Sequence, residues 1–117
     1  MLSVAQSASI YVHTRPTDMR KGFDGLCGIV RQEFGADPLD GSLFLFINRR
    51  RDRVKILYWD RDGLALWYKR LEAGTFERLE SGDSPSMQID TTQLAMLLGG
   101  VSLGAAKERR KRYRHAA

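Results

Sequence analysis

The sequence predicts an α+β domain: a mainly antiparallel sheet of four to six strands, one long helix packed on a face, and a short C-terminal helix. Three observations carry this. Residues 42–71, SLFLFINRRRDRVKILYWDRDGLALWYKRL, read as three consecutive strands. Apolar residues ahead of them recur at helical spacing over about 17–34. Beyond them, a turn-forming run precedes one more short strand and a capped helix.

In the first strand of the central stretch, Leu43, Leu45 and Ile47 alternate with Phe44 and Phe46, so both faces are apolar. Val54, Ile56 and Tyr58 alternate with Lys55, Leu57 and Trp59 in the second. Leu64, Leu66 and Tyr68 alternate with Ala65, Trp67 and Lys69 in the third. β-branched and aromatic residues at period two, bounded by charged or glycine turns, are a strand signal. Strands apolar on both faces belong inside a sheet or beneath a helix. The first turn, Asn48-Arg49-Arg50-Arg51-Asp52-Arg53, sets four arginines on one hairpin tip. The second, Asp60-Arg61-Asp62-Gly63, contains the Asp-Gly pair that favours a tight reversal.

Upstream, residues 9–14, SIYVHT, read as a short strand that Arg15-Pro16 ends, because the residue before proline avoids the helical region. Thr17 reads as a helix cap with Asp18 in the first turn, where the helix dipole favours a carboxylate. Met19, Phe23, Leu26, Cys27, Val30 and Phe34 fall on one face of a 3.6-residue period, and Gly35 stands as the C-terminal cap. Gly22, Gly25 and Gly28 lie within this span, each costing about 1 kcal/mol relative to alanine. They cluster away from the apolar stripe. A smooth partner-binding surface and simple tolerance in a well-anchored helix both account for them.

Downstream, Phe76 is placed to start a further short strand, and Ser81-Gly82-Asp83-Ser84-Pro85 is a loop. Met87-Gln88-Ile89 reads as an edge strand. Asp90 or Thr91 caps a helix over Gln93 to Leu98, which Gly99-Gly100 stops.

The length of 117 residues fits one domain, 1–106, followed by a basic tail, 107–117, KERRKRYRHAA. The tail holds six Lys/Arg and one Glu, so it carries the whole formal net charge of +5. Such a tail suits nucleic acid or another polyanion. A single cysteine, Cys27, excludes an internal disulfide and reads as a small core hydrophobe. His13 and His115 lack a Cys/His cluster, so neither a metal nor another cofactor is expected. No apolar run reaches membrane-spanning length and no secretory leader stands at the N-terminus, which makes the cytoplasm the expected location. No phosphate loop, dinucleotide fingerprint or nucleophile elbow occurs, and the aspartates fall in turns and caps. The expectation is a protein without a catalytic site.

The positive signal is for binding. Basic residues gather in three places: Arg15, Arg20 and Lys21; Arg49, Arg50, Arg51 and Arg53; and Lys107, Arg109, Arg110, Lys111 and Arg112 of the tail. Lys/Arg contacts to phosphate give salt-sensitive affinity, and a basic hairpin can lie in a duplex groove or track its backbone. Tyr58, Trp59, Trp67 and Tyr68 are placed either to stack on unpaired bases or to pack at period two.

At VHTRPTDMRKGFDGL, at DRVKILYWDRDGLALWYKRLEAGTF and at Met96-Leu97-Leu98-Gly99, the chain resembles the TnpB accessory proteins of the bacterial insertion-sequence-66 family. The resemblance spans residues 10–100. It implies a non-enzymatic accessory role in DNA transposition, beside a separate transposase of the acidic-triad type. DNA and that transposase are the implied partners. The alternative is an interaction module that docks on the transposase without touching DNA.

Overall fold

The computed structural model describes residues 8–100. Five strands form one sheet: β1 (Ile10–His13), β2 (Leu43–Ile47), β3 (Arg53–Asp60), β4 (Gly63–Arg70) and β5 (Ser86–Ile89). Their spatial order is β4-β3-β2-β1-β5. Three of the four pairings are antiparallel, and β1 with β2 is parallel. The parallel pair needs a crossover, supplied by α1 (Phe23–Ile29), which continues as a π-helical turn (Val30–Phe34). A second helix, α2 (Thr91–Gly99), follows β5.

The period-two pattern divides the core. Leu43, Leu45 and Ile47 face one side with Ile10, Val12, Val54 and Ile56, closed by Phe76 and by Leu94 and Leu97 of α2. Phe44, Phe46 and Leu57 face the other, beneath Leu26, Cys27 and Val30. Each large apolar side chain so buried contributes about 1.5–3 kcal/mol. Asp90 and Gln93 form the reciprocal cap that starts α2 at Thr91, two residues before the expected Gln93. Gly100, at φ 88°, closes it. Gly35, at φ 62°, closes the first helical segment as its position suggests. Among the described residues no helix is long and apolar enough to cross a membrane.

Two expectations need correction. The first helix begins at Phe23, not near Thr17. The carbonyls of Met19 and Lys21 accept from Lys55 Nζ at 2.7 and 2.8 Å, which holds them where a helix would need them for its own amides. Thr17 is buried, and its N–H donates to the Ile47 carbonyl at 2.9 Å rather than capping a helix. Gly22 therefore precedes the helix, and only Gly25 and Gly28 lie within it. Phe76 starts no strand; its side chain fills the core. The tail residues Lys107, Arg109, Arg110, Lys111 and Arg112 lie outside the described residues.

Candidate nucleic-acid interface

Because β1 and β2 run parallel, their carboxyl ends lie side by side, the usual place for a crevice in such an arrangement. His13-Thr14-Arg15 leaves β1 and Ile47-Asn48-Arg49 leaves β2. A cleft of about 190 Å³ opens there, lined by Arg15, Arg49, Arg51 and Arg78 together with His13 and Glu77.

Asn48 organises the hairpin tip. Its Oδ1 accepts from the Asp52 and Arg53 amides, both at 3.0 Å, and its Nδ2 donates to Asp52 Oδ1 at 2.7 Å. Its carbonyl accepts from Arg51 N–H at 3.0 Å, and Arg51 adopts the left-handed region at φ 59°. Two bonds from outside the hairpin hold the tip down: Leu71 N–H to Asp52 O and Phe76 N–H to Arg51 O, each 2.7 Å.

Arg49 and Arg50 are exposed; Arg51 and Arg53 are half-buried. Among the described residues, no carboxylate lies within 4.0 Å of any of these four guanidinium groups. Asp52, the acid nearest in sequence, is held by Asn48. Arg53 alone makes a side-chain bond, to Tyr68 Oη at 3.4 Å. A second, more open hollow shares Pro16, Asn48 and Arg49 with the cleft and is lined also by Thr17, Asp18, Met19, Arg50, Asp52 and Arg53. The tip thus presents cations to two hollows that share Arg49.

The three upstream cations part company. Arg15 joins the cleft, where its Nη1 lies 3.3 Å from Glu33 Oε2. Arg20 donates through Nε and Nη2 to Asp18 at 2.7 to 3.1 Å. Its side-chain hydrogen bond draws the Asp18 carboxyl from 3.8 down to about 2, and the same bond raises Arg20. Lys21 is exposed and lies over Gly25, where an added Cβ would sit 3.3 Å from Lys21 Cβ. Gly28 is open, with nothing within 4 Å of such a Cβ.

Two features have little or no sequence signal. Arg78 enters the cleft from the segment after Phe76 and lies 3.6 Å from Glu80. His13 is buried, with Nε2 2.9 Å from Glu33 Oε2 and Nδ1 3.0 Å from Thr17 Oγ1. The Glu33 carboxylate can only accept, so Nε2 is a donor there, while the Thr17 hydroxyl can either donate to Nδ1 or accept from it. The network fixes the chain between β1 and Pro16, and so fixes Arg15. Lys55, by contrast, did carry a signal: a lysine on an apolar strand face. Its Nζ also lies 4.9 Å from the Tyr68 ring centroid. Tyr58 and Trp67 pack against the core, which leaves Tyr68, 49% exposed, as the most open of the four aromatics in the meander. Burial pushes the Cys27 thiol up, as expected of a packed cysteine. Among the described residues no group of three His, Cys, Asp or Glu is placed to hold a metal ion.

Residues 8–108 match the family model described as IS66 Orf2 like protein, TnpB_IS66. The chain is 40% identical over 76 residues to the uncharacterized protein y4jC of Sinorhizobium fredii, a match spanning 65% of each chain. It is 36% identical over 101 residues to the uncharacterized protein y4hO of the same organism, covering 86% of this chain and 87% of that one. No solved structure matches. The family model thus covers the sheet, both helices and the arginine tip, and its description points to an accessory role in IS66 transposition. The chain belongs to the IS66 Orf2-like family.

Proposed function

We propose that this accessory protein binds DNA directly, gripping the phosphate backbone with the β2–β3 hairpin tip. The observation that carries the reading is the set of four arginines on one pinned loop, with no carboxylate of the described chain within ion-pair distance. A loop already fixed by its own hydrogen bonds loses less entropy on binding than a floppy one. Arg49 and Arg51 contribute from the cleft, extended by Arg15 and Arg78; Arg50 and Arg53 contribute from the hollow that adjoins it at Arg49. Lys107, Arg109, Arg110, Lys111 and Arg112 add sequence-independent attraction. Arg20 and Lys21 are minor contributors, Arg20 because Asp18 takes up its charge. The protein positions DNA for the transposase and cleaves no strand itself.

A second reading, docking on the transposase without DNA contact, is favoured by the exposure of Phe23 at the start of α1 and the open surface at Gly28. In that reading Gly22 and Gly28 mark the approach, and Gly25 lies beneath Lys21. Fluorescence anisotropy with the full chain separates the two, using labelled duplexes of element-end and random sequence over a salt series. Binding that weakens steeply with salt supports the first. No binding at low salt, with co-purification of the transposase, replaces it with the second.

A further inference from the structure

The edge strand β4 is eight residues long and pairs only with β3 among the described strands. The hairpin decides which of its groups face outward. Asp60 and Gly63 flank a two-residue turn and stand opposite each other, so they form a hydrogen-bonded pair. By alternation Ala65, Trp67 and Lys69 bond to β3, whereas Leu64, Leu66, Tyr68 and Arg70 direct N–H and C=O away from it. A long edge with open backbone groups is ready to take another strand.

We propose that β4 pairs antiparallel with β4 of a second copy, about a two-fold axis at Leu66, forming a continuous sheet across a homodimer. Leu66 is an outward-bonding residue, so this centre satisfies the hydrogen-bond alternation. It sets Leu64 against the second copy's Tyr68 on the α1 face, and the small Ala65 against Trp67 on the other. The two ends of the hairpin carry opposite net charge, −1 over Asp60, Arg61 and Asp62 at one and +1 over Lys69, Arg70 and Glu72 at the other. Antiparallel self-pairing brings each acidic end to a basic end, with Asp62 opposite Arg70 twice. A centre shifted to Trp67 instead opposes Asp62 to Glu72, two like charges. Arg70 is already oriented by Nε and Nη2 bonds to Glu72 at 3.1 and 2.9 Å. This self-complementarity of side chains and charge identifies a second copy as the occupant. The inference is independent of DNA binding.

Sedimentation of the nuclease-treated full chain tests it. The wild type should sediment at twice the 13.3 kDa chain mass. Asp62→Arg and Arg70→Asp are exposed substitutions, and circular dichroism should show both folded. Each should weaken self-association at least tenfold, while an equimolar mixture of the two restores the dimer, because each supplies the charge the other's end lacks. Amide exchange at Leu64, Leu66 and Tyr68 should be slow in the wild type and fast in either variant alone. A wild type that stays monomeric at every soluble concentration overturns the proposal. So do variants that remain dimeric, or β4 amides protected only when another protein is added.

Discussion

The backbone N–H of Phe76 donates to the carbonyl of Arg51 at 2.7 Å, joining the deepest residue of an irregular segment to the most conformationally demanding residue of the arginine tip. Phe76 is 1% exposed, so the bond anchors the tip to the core. The hairpin arginines are presented by a loop whose shape is set from three sides: by Asn48, by Leu71 and by Phe76.

Phe76→Ala should therefore cost about 3–5 kcal/mol in urea denaturation, the usual range for emptying a buried phenylalanine site. It should also accelerate amide exchange at Arg51 and Asp52. A loss below about 1 kcal/mol would contradict the anchoring role.

Arg61, at φ 57°, sits in the left-handed region within the β3–β4 turn, where a side chain costs roughly 1–2 kcal/mol. Glycine removes that strain but costs about 0.5–1 kcal/mol in unfolded-state entropy. Arg61→Gly should stabilise the protein by roughly 0.5–1 kcal/mol, read as a raised denaturation midpoint with an unchanged m-value. A lower midpoint would mean that the arginine side chain holds the turn.

Lys55 ties the irregular segment before α1 to the sheet through the Met19 and Lys21 carbonyls. Lys55→Met keeps the apolar stem and deletes both bonds, leaving two carbonyls without their donor. The expected loss is about 1–3 kcal/mol. Faster exchange of the Thr17 amide should accompany it, since that amide lies in the tethered segment. An unchanged stability would show that water replaces the ammonium at no cost.

Asp18 should titrate at about 2, below its ordinary 3.8, because Arg20 holds the charged form. A depressed carboxyl stabilises the fold above the unfolded value. That contribution should fade as pH falls from 3.8 through about 2. Arg20→Ala should return the carbon-detected NMR titration of Asp18 towards 3.8. A titration that does not move would assign the shift to another group.

The regular elements were legible because local rules govern them. Period-two alternation in 43–47, 54–59 and 64–69 divides the two cores, and Asp90 with Gln93 spells a helix cap. The helix start was not legible. Thr17, Asp18 and Met19 look like a cap and first turn, but Lys55, more than thirty residues away, claims the carbonyls such a turn would use. The parallel pairing of β1 with β2, and with it the cleft at their ends, depends on where the crossover lands. The hairpin arginines were evident in one dimension. Arg15 stood out among the upstream cations, but its place beside the tip was not evident, because Glu33 with His13 sets it; Arg78 was not evident at all, because the path after Phe76 places it.

The most direct measurement is the salt dependence of duplex affinity for the full chain and two variants. One variant is Arg49→Ala with Arg51→Ala; the other is Arg61→Ala, at the opposite end of the β3 hairpins. Each phosphate contact contributes about 0.9 to the slope of log K against log salt, so the double variant should flatten the plot by about two. Arg61→Ala should leave the slope close to that of the wild type. Equal slopes for all three proteins, or no duplex binding by any of them, would contradict the assignment of the hairpin tip as the phosphate-gripping element.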